Sequence, residues 1–235
     1  MAQSNAGFRY TGTGIYTVGE AAKLSGVSTG RIRRWLRGYQ FSSPGGVHQS
    51  PPVWQPQLPE IDGKLALGFL DLMEVRFVDA FLGLGVSWHT LRLAAAKARA
   101  LFDSTHPFST RRFKTDGRYV FAEVQNEAGE PALLELVRSQ QYFYRIVAPC
   151  LRGVDFDAEE PTRWWPMGRS RWIVIDPRRS FGQPIVAKSG VPTAVLARAA
   201  GANSIAEVSR WYQTDIKAVQ MAIEYQKQLE EKKAA

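Results

Sequence analysis

The sequence predicts a mainly α-helical protein with short β-hairpins, an α+β chain, and three observations carry that prediction. Two short helical patterns separated by a glycine turn occupy Gly14 to Gln40. A second pair, from Phe69 to Phe102, has the strongest helical periodicity in the chain. A third group of three capped helical patterns follows Pro192. Between them, brief alternating stretches bounded by Gly and Pro read as hairpins rather than as a large sheet.

Composition sets the outer limits. The chain has 235 residues, 45% of them hydrophobic, which suits a globular protein with one large or two to three small domains. No apolar run reaches the roughly 18 residues of a membrane helix. The first residues, MAQSNAGFRYTGTG, lack a basic segment followed by an apolar one, so no signal peptide is expected and the expected location is the cytoplasm. A lone cysteine, Cys150, leaves no internal disulfide and reads as a packed small hydrophobe. The net charge of +8 and the pI near 9.7 favour a polyanionic partner. Six basic against two acidic residues in positions 1–60 put half of that excess in the first quarter of the chain.

Residues 1–13, rich in Gly, Ser and Thr, read as loose. In the next stretch Thr17 caps a first helix, with Glu20 as its capping-box partner. Val18, Ala21, Ala22 and Leu24 form one apolar face. Gly26 supplies the left-handed backbone of a tight turn. Ser28 caps a second helix, in which Ile32, Trp35 and Leu36 point inward and Thr29, Arg31, Arg33, Arg34 and Arg37 outward. This is a helix-turn-helix with an arginine-rich second helix. Arg pairs in a bidentate way with phosphate or guanine, and Thr29 and Gly30 leave room for a groove at the helix start. The plainer alternative is a helical hairpin with a solvated basic face.

The residues Tyr16-Thr17-Val18-Gly19-Glu20-Ala21-Ala22, Gly26-Val27-Ser28 and Ile32-Arg33-Arg34-Trp35 carry a resemblance. The segment resembles the DNA-binding head of the MerR superfamily of winged helix-turn-helix regulators. The resemblance implies that the start of the second helix, with Thr29, Gly30 and Arg31, meets bases and that Arg33 and Arg34 hold phosphates. The expected DNA-binding set is Lys23, Ser28, Thr29, Gly30, Arg31, Arg33, Arg34 and Arg37. Trp35, at a position often held by tyrosine in that family, is expected in the core.

Pro44-Gly45-Gly46 reads as a turn, with Tyr39-Gln40-Phe41 and Val53-Trp54-Gln55 as the short strands of a wing. His48 would lie at the loop tip, touching DNA or simply solvated. Asp71 begins a helix through Leu72, Val75, Phe77, Val78, Phe81, Leu82 and Leu84, and Ser87 caps another with Leu91, Ala94, Ala95, Ala98 and Leu101 as its apolar stripe. This pair also resembles the second helix pair of the MerR head, which extends the likeness over about residues 14–102. No heptad pattern follows, so the long coiled coil of those regulators is not expected here.

Arg111 to Glu123 alternates around Asp116-Gly117 and reads as a hairpin. Its Arg111, Lys114 and Arg118 would form either a phosphate-contacting ribbon or an ordinary charged edge. Ala132 to Leu151 reads as one helix. Residues 152–170 read as a linker, acidic at Asp155 to Glu160 and then aromatic at Trp164-Trp165. Adjacent tryptophans either staple two domains or anchor a partner, and the staple is the reading preferred.

After Arg171 come a strand at Trp172 to Ile175, an extended piece at Phe181 to Val186, and three helices: one after Pro192-Thr193, one capped by Ser204 with Glu207, and one from Asp215. Gly182, Pro184, Ile185, Gly190, Val191, Pro192, Ala202, Val208, Tyr212, Val219, Ala222 and Tyr225 carry a second resemblance, to a small domain of bacterial toxin–antitoxin loci. Ser189-Gly190-Val191-Pro192 departs from that pattern where Gly-Thr-Arg is usual. The order of the two likenesses is similar to larger VapB-type antitoxins, the partners of PIN-class ribonuclease toxins. The expected organisation is a MerR-like winged helix-turn-helix domain at 1–102, a hairpin, helix and linker at 103–170, and a three-helix antitoxin-type domain at 171–235.

The resemblance implies a dimeric repressor that binds operator DNA and neutralises a PIN-type toxin. Arg163, Trp164, Trp165, Arg169, Arg171, Arg178 and Arg179 are the expected partner-binding residues, an arginine plugging an acidic metal site. No enzyme, cofactor or metal site is expected. His48, His89, His106 and Cys150 lack ligand spacing, and no phosphate loop follows a strand. The alternatives are a MerR-like ligand-responsive regulator, with Tyr119, Phe121, Tyr142, Phe143 and Trp164 lining a pocket, and a DNA-bridging scaffold.

Overall fold

The structure, a computed structural model, describes residues 10–129 and 131–234; the loose segment expected at 1–13 lies outside them as far as residue 9. The fold is mainly α with short antiparallel strands, as the sequence predicts. Contacts group the chain into two compact units. One comprises residues 17–151 and 156–161; the other comprises 10–16, 152–155 and 162–234.

The first unit begins with α1 (Val18–Ser25) and α2 (Thr29–Arg37). β1 (Tyr39–Ser43) and β2 (Gly46–Ser50) then form an antiparallel hairpin from Tyr39↔Ser50 to Ser43↔Gly46. The wing therefore returns on Gly46–Ser50 and not on Val53-Trp54-Gln55. Pro44-Gly45 alone closes the turn, and Pro51-Pro52, which have no N–H to give a ladder, end the strand. Val53 and Trp54 are buried instead.

α3 (Phe69–Gly83) starts two residues before Asp71, which sits in its first turn. α4 (Trp88–Phe102) has the expected cap, the Ser87 hydroxyl accepting from Thr90 N at 3.3 Å. α5 (Phe113–Ala128) replaces the expected hairpin. Phe113, Val120, Phe121 and Val124 are all buried, at the three- and four-residue spacing of a helix face. Gly117 lies on the same face, where an added Cβ would come within 2.6 Å of Phe143 Cζ. The Asp-Gly pair is thus a close-approach point in a helix and not a turn. The rings of Phe77, Phe81, Phe108, Phe121 and Phe143 meet Phe113 or one another at 4.8–6.3 Å, the core of this unit.

The helix expected from Ala132 is two: α6 (Pro131–Val137) and α7 (Gln140–Leu151). Ser139 separates them, and its hydroxyl takes the Tyr142 N–H at 3.1 Å. Cys150 is buried, and burial pushes its thiol up to about 11, the inert state expected of a packed residue.

A four-stranded sheet runs in the order β3 (Val154–Asp157), β4 (Glu160–Trp164), β5 (Ile173–Ile175) and β6 (Pro184–Val186); apart from residues 156–161 it belongs to the second unit. The expected linker at 152–170 is thus largely a hairpin. Ala158 at φ 48° makes its turn, a position its acidic composition concealed. α8 (Thr193–Ala200), α9 (Ile205–Trp211) and α10 (Ile216–Ala234) follow, and the Ser204–Glu207 capping box is formed. Tyr16 OH donates to the Gly182 carbonyl at 2.9 Å, fixing the start of the chain within this unit. No helix among the described residues is long and apolar enough to cross a membrane.

Candidate nucleic-acid interface

The helix-turn-helix is built by local chemistry. Glu20 N donates to Thr17 Oγ1 at 3.2 Å, and Thr17 N donates to Glu20 Oε2 at 2.8 Å, a complete capping box. Gly26 takes φ 81°, and its N–H returns to Ala22 O at 2.8 Å. Val18, Ala21, Leu24, Ile32, Trp35 and Leu36 are buried. Ser28 caps α2 through Arg31 N at 3.4 Å. Ser28 and Gly30 are exposed and Thr29 is half-buried, and an added Cβ at Gly30 would touch nothing. The N-terminus of α2 therefore faces open space.

The arginines divide into two groups. Arg31 forms an ion pair with Asp79 of α3 at 2.6 Å, and its guanidinium lies 5.1 Å from the Trp35 ring centroid. Arg37 is paired with Glu60. Arg33 has no partner among the described residues, and Arg34 lies over the Tyr39 ring at 5.1 Å without a carboxylate. Lys23 is exposed in the last turn of α1. The structure thus leaves Lys23, Arg33 and Arg34 as uncompensated cations, while Arg31 and Arg37 are neutralised within the fold.

The wing projects its own face. Phe41 stacks on His48 at 5.4 Å with 26° between the planes, and Val47 is 71% exposed. Gly38, at φ 71°, joins α2 to the wing where an added Cβ would lie 2.2 Å from Ser50 O, so only glycine fits. The wing base is tied to the helices at several points. Arg92 bonds Ser50 Oγ, Arg99 Nη1 donates to Val53 O at 3.2 Å, and Val53 N donates to Trp35 O at 2.9 Å.

Beneath it lies a buried polar node that sequence reasoning missed. Asp71 accepts from Trp54 Nε1 at 2.8 Å, Gln57 N at 3.0 Å, Gly68 N at 2.8 Å and His106 Nε2 at 2.8 Å. Asp71, Trp54 and His106 are all buried. The available signal was two carboxylates, Asp71 and Glu74, inside the otherwise apolar run LDLMEV. Glu74 Oε1 accepts from Phe108 N at 2.9 Å and Ser109 N at 3.4 Å, while Oε2 has no partner among the described residues. Burial pushes the Glu74 carboxyl well above the usual carboxylate range, against the two backbone bonds. A raised carboxyl contributes stability that is complete below the ordinary glutamate value and is lost as pH rises through its folded value. Glu74→Gln has no charge to bury. The melting temperature of the variant relative to the parent is therefore expected to climb as pH rises from about 4.5. Thermal melts across that range check it; a constant difference would contradict it.

The seven expected partner-binding residues lie in the second unit. Arg163 Nε is 3.4 Å from Asp176 Oδ2, Arg169 pairs with Asp155, and Arg171 Nη1 is 3.0 Å from Glu224 Oε2. Arg179 Nη1 donates to Ala187 O at 2.7 Å. Arg178 is exposed, its guanidinium unpaired among the described residues. Trp164 is buried and pairs with Ile175 in the sheet, so it offers no surface anchor; Trp165 Nε1 donates to Asp155 Oδ2 at 2.8 Å. Burial alone would raise the Asp155 carboxyl, but the Trp165 indole and Arg169 prevail and hold it below the usual range. Trp172, Phe181 and Trp211 are exposed aromatics of this unit, the first two at positive φ, 59° and 53°. The structure does not gather the seven into one cluster.

The residues that the ligand-responsive alternative places round a pocket lie in different settings, with Tyr142 half-buried on α7. Phe121 and Phe143 are in the aromatic core, Tyr119 is exposed, and Trp164 belongs to the sheet of the other unit. Among the described residues no group of three or more His, Cys, Asp or Glu is placed to hold a metal ion.

No family profile matches this chain. A curated protein of Mycobacterium tuberculosis (strain ATCC 25618 / H37Rv) named "Putative antitoxin VapB45" is 27% identical over 193 residues, 77% of this chain and 80% of that protein. The crystal structure of Rv2018 from Mycobacterium tuberculosis has the same fold. Its TM-score is 0.66 at 22% identity, covering 88% of this chain and 96% of that one.

Proposed function

We propose that this chain is an antitoxin that represses its own operon, binding operator DNA as a dimer through α2 and the wing and holding a PIN-type ribonuclease toxin through its C-terminal unit. The observation that carries the reading is a coincidence. A chain similar over 77% of its length to a protein named as an antitoxin has a helix-turn-helix with an open α2 N-terminus and uncompensated Lys23, Arg33 and Arg34.

Each part has a physical rationale. Ser28, Thr29 and Gly30 would face base edges, and Lys23, Arg33 and Arg34 would hold phosphates. Arg31 and Arg37 would act on DNA indirectly, by fixing α2 against Asp79 and the Glu60 loop. The likeness of residues 14–102 to the MerR head supports this docking mode. Because one such helix reads only a few base pairs, two copies would read a two-fold operator. For the toxin, Arg178 and Arg179 need no ion pair among the described residues broken, and Arg178, whose guanidinium does not also donate to a carbonyl as that of Arg179 does, would lead, with exposed Trp172 and Phe181 as flanking anchors. Arg163, Arg169 and Arg171 would each have to leave a carboxylate.

Footprinting of the purified full chain on the DNA upstream of its own gene tests the operator half. The expected result is a protected two-fold site whose affinity falls steeply with salt and exceeds that for a scrambled duplex by at least about 10³-fold. Equal affinity for both duplexes would contradict it.

A further inference from the structure

We propose that a second surface of this chain, the face formed by Lys114, Arg118 and Tyr119 of α5 with Tyr144 and Arg145 of α7, binds the phosphate backbone of duplex DNA outside the segment that α2 and the wing contact. The inference rests on the operator reading above and deepens it.

Direct contacts tie down Lys114, Arg118, Tyr119 and Tyr144, and Arg145 follows Tyr144 on α7. Lys114 Nζ lies 5.1 Å from the Tyr144 ring centroid, and the Arg118 guanidinium lies 4.9 Å from that of Tyr119. Arg118 Nε donates to Gln140 Oε1 at 3.2 Å and its Nη1 to Val137 O at 3.2 Å. Gln140 Nε2 in turn donates to Lys114 O at 3.2 Å. Both tyrosines are exposed, at 58% and 42%, as are Lys114 and Arg145.

Asp116 of α5 is paired with Arg112, and Glu123 and Glu127 are paired with Lys97. Glu135 of α6 is paired with Arg138, and α7 contains no carboxylate. Asp116 and Glu135 each have a cation of their own, Glu123 and Glu127 share Lys97, and none of the four is paired with Lys114, Arg118 or Arg145. Lys114 and Arg118 are held only by rings, a carbonyl and an amide, none of which cancels their charge. A cation that a fold orients without neutralising keeps its charge and donors available to an external anion.

The kind of anion follows from the rings. One face of each tyrosine lies beneath a cation, which disfavours the aromatic as a free stacking platform for single-stranded bases. What points outward is a fork of Arg118 with Nη2 unpaired among the described residues, two ammonium or guanidinium groups and two phenol hydroxyls. Arg, Lys and Tyr donors of this type are those that contact phosphate and sugar without reading sequence. A duplex backbone offers such acceptors at regular spacing.

The test uses the full chain and two probes from its own upstream DNA: a duplex of about 20 bp centred on the footprint and one of about 45 bp that includes the flanks. Lys114→Gln/Arg118→Gln removes two phosphate contacts. On the long duplex the expected loss is about 2 units of the log–log salt slope and roughly 10–30-fold in affinity near 0.15 M salt. The short duplex is expected to be bound as by the parent. Because Arg118 also braces α6, the single variant Lys114→Glu, on an exposed lysine, accompanies it and is expected to weaken only the long duplex.

An unchanged slope on the long duplex with either folded variant overturns this inference alone. Loss of toxin capture with DNA binding intact also overturns it, assigning the face to a protein. If the parent binds neither duplex, the operator reading fails and this one with it.

Discussion

Replacement of Asp71 by alanine is expected to destabilise the helix-turn-helix unit by about 3–5 kcal/mol. Its carboxylate is the common acceptor for Trp54 Nε1, Gln57 N, Gly68 N and His106 Nε2, all buried or partly buried. Removing it strands four donors away from water, and a stranded donor costs its full desolvation. The donors come from three places in the chain: the segment after the wing, the N-terminus of α3, and the turn before α5. One side chain therefore sets the wing against the helices. Asp71→Asn keeps the shape and one acceptor but turns an amide N–H₂ toward donors, so a loss of similar sign is expected. Chemical denaturation measures both, and a loss below about 1 kcal/mol for alanine would contradict the account.

The triple variant Lys23→Ala/Arg33→Ala/Arg34→Ala is expected to lose about 3 units of salt slope and roughly 100-fold in operator affinity near 0.15 M salt, with little change in stability. These residues are exposed, and none is in an ion pair among the described residues. Arg31→Ala and Arg37→Ala behave differently. Each gives up a surface ion pair, worth about 0–1 kcal/mol, and leaves Asp79 or Glu60 unpaired near α2. Their effect on binding comes through the position of α2, so the salt slope is expected to stay near the parental value. Titrations at four or more salt concentrations separate the two classes, and equal slopes for parent and triple variant would contradict the assignment.

What the sequence disclosed was local. Thr17 with Glu20, Ser28, Ser87 and Ser204 with Glu207 name their helix starts because a cap involves residues three apart. Gly26 names the turn for the same reason. Phe113 to Glu123 misled because its alternation and its Asp-Gly pair satisfy a strand pattern within a few residues. The helical face that includes Gly117 becomes evident only against Phe143, far along the chain. The wing's return strand and the 154–164 hairpin failed similarly, since pairing register depends on a partner strand. In the candidate site, the outward side of α2 was legible, but the neutralisation of Arg31 by Asp79 and of Arg37 by Glu60 was not. Those partners lie 48 and 23 positions away. Asp71 read as a helix start because nothing near it in sequence announces His106 or Trp54 as partners.

The most direct measurement of the central claim is growth with the neighbouring gene. The open reading frame beside this one is induced alone and then together with this chain, tagged for purification. The account predicts that the neighbour's product arrests growth and cleaves RNA, that this chain restores growth, and that the two co-purify. A neighbouring product that neither arrests growth nor co-purifies with this chain, while the chain still binds its operator, would contradict the antitoxin reading and leave a DNA-binding regulator without a toxin.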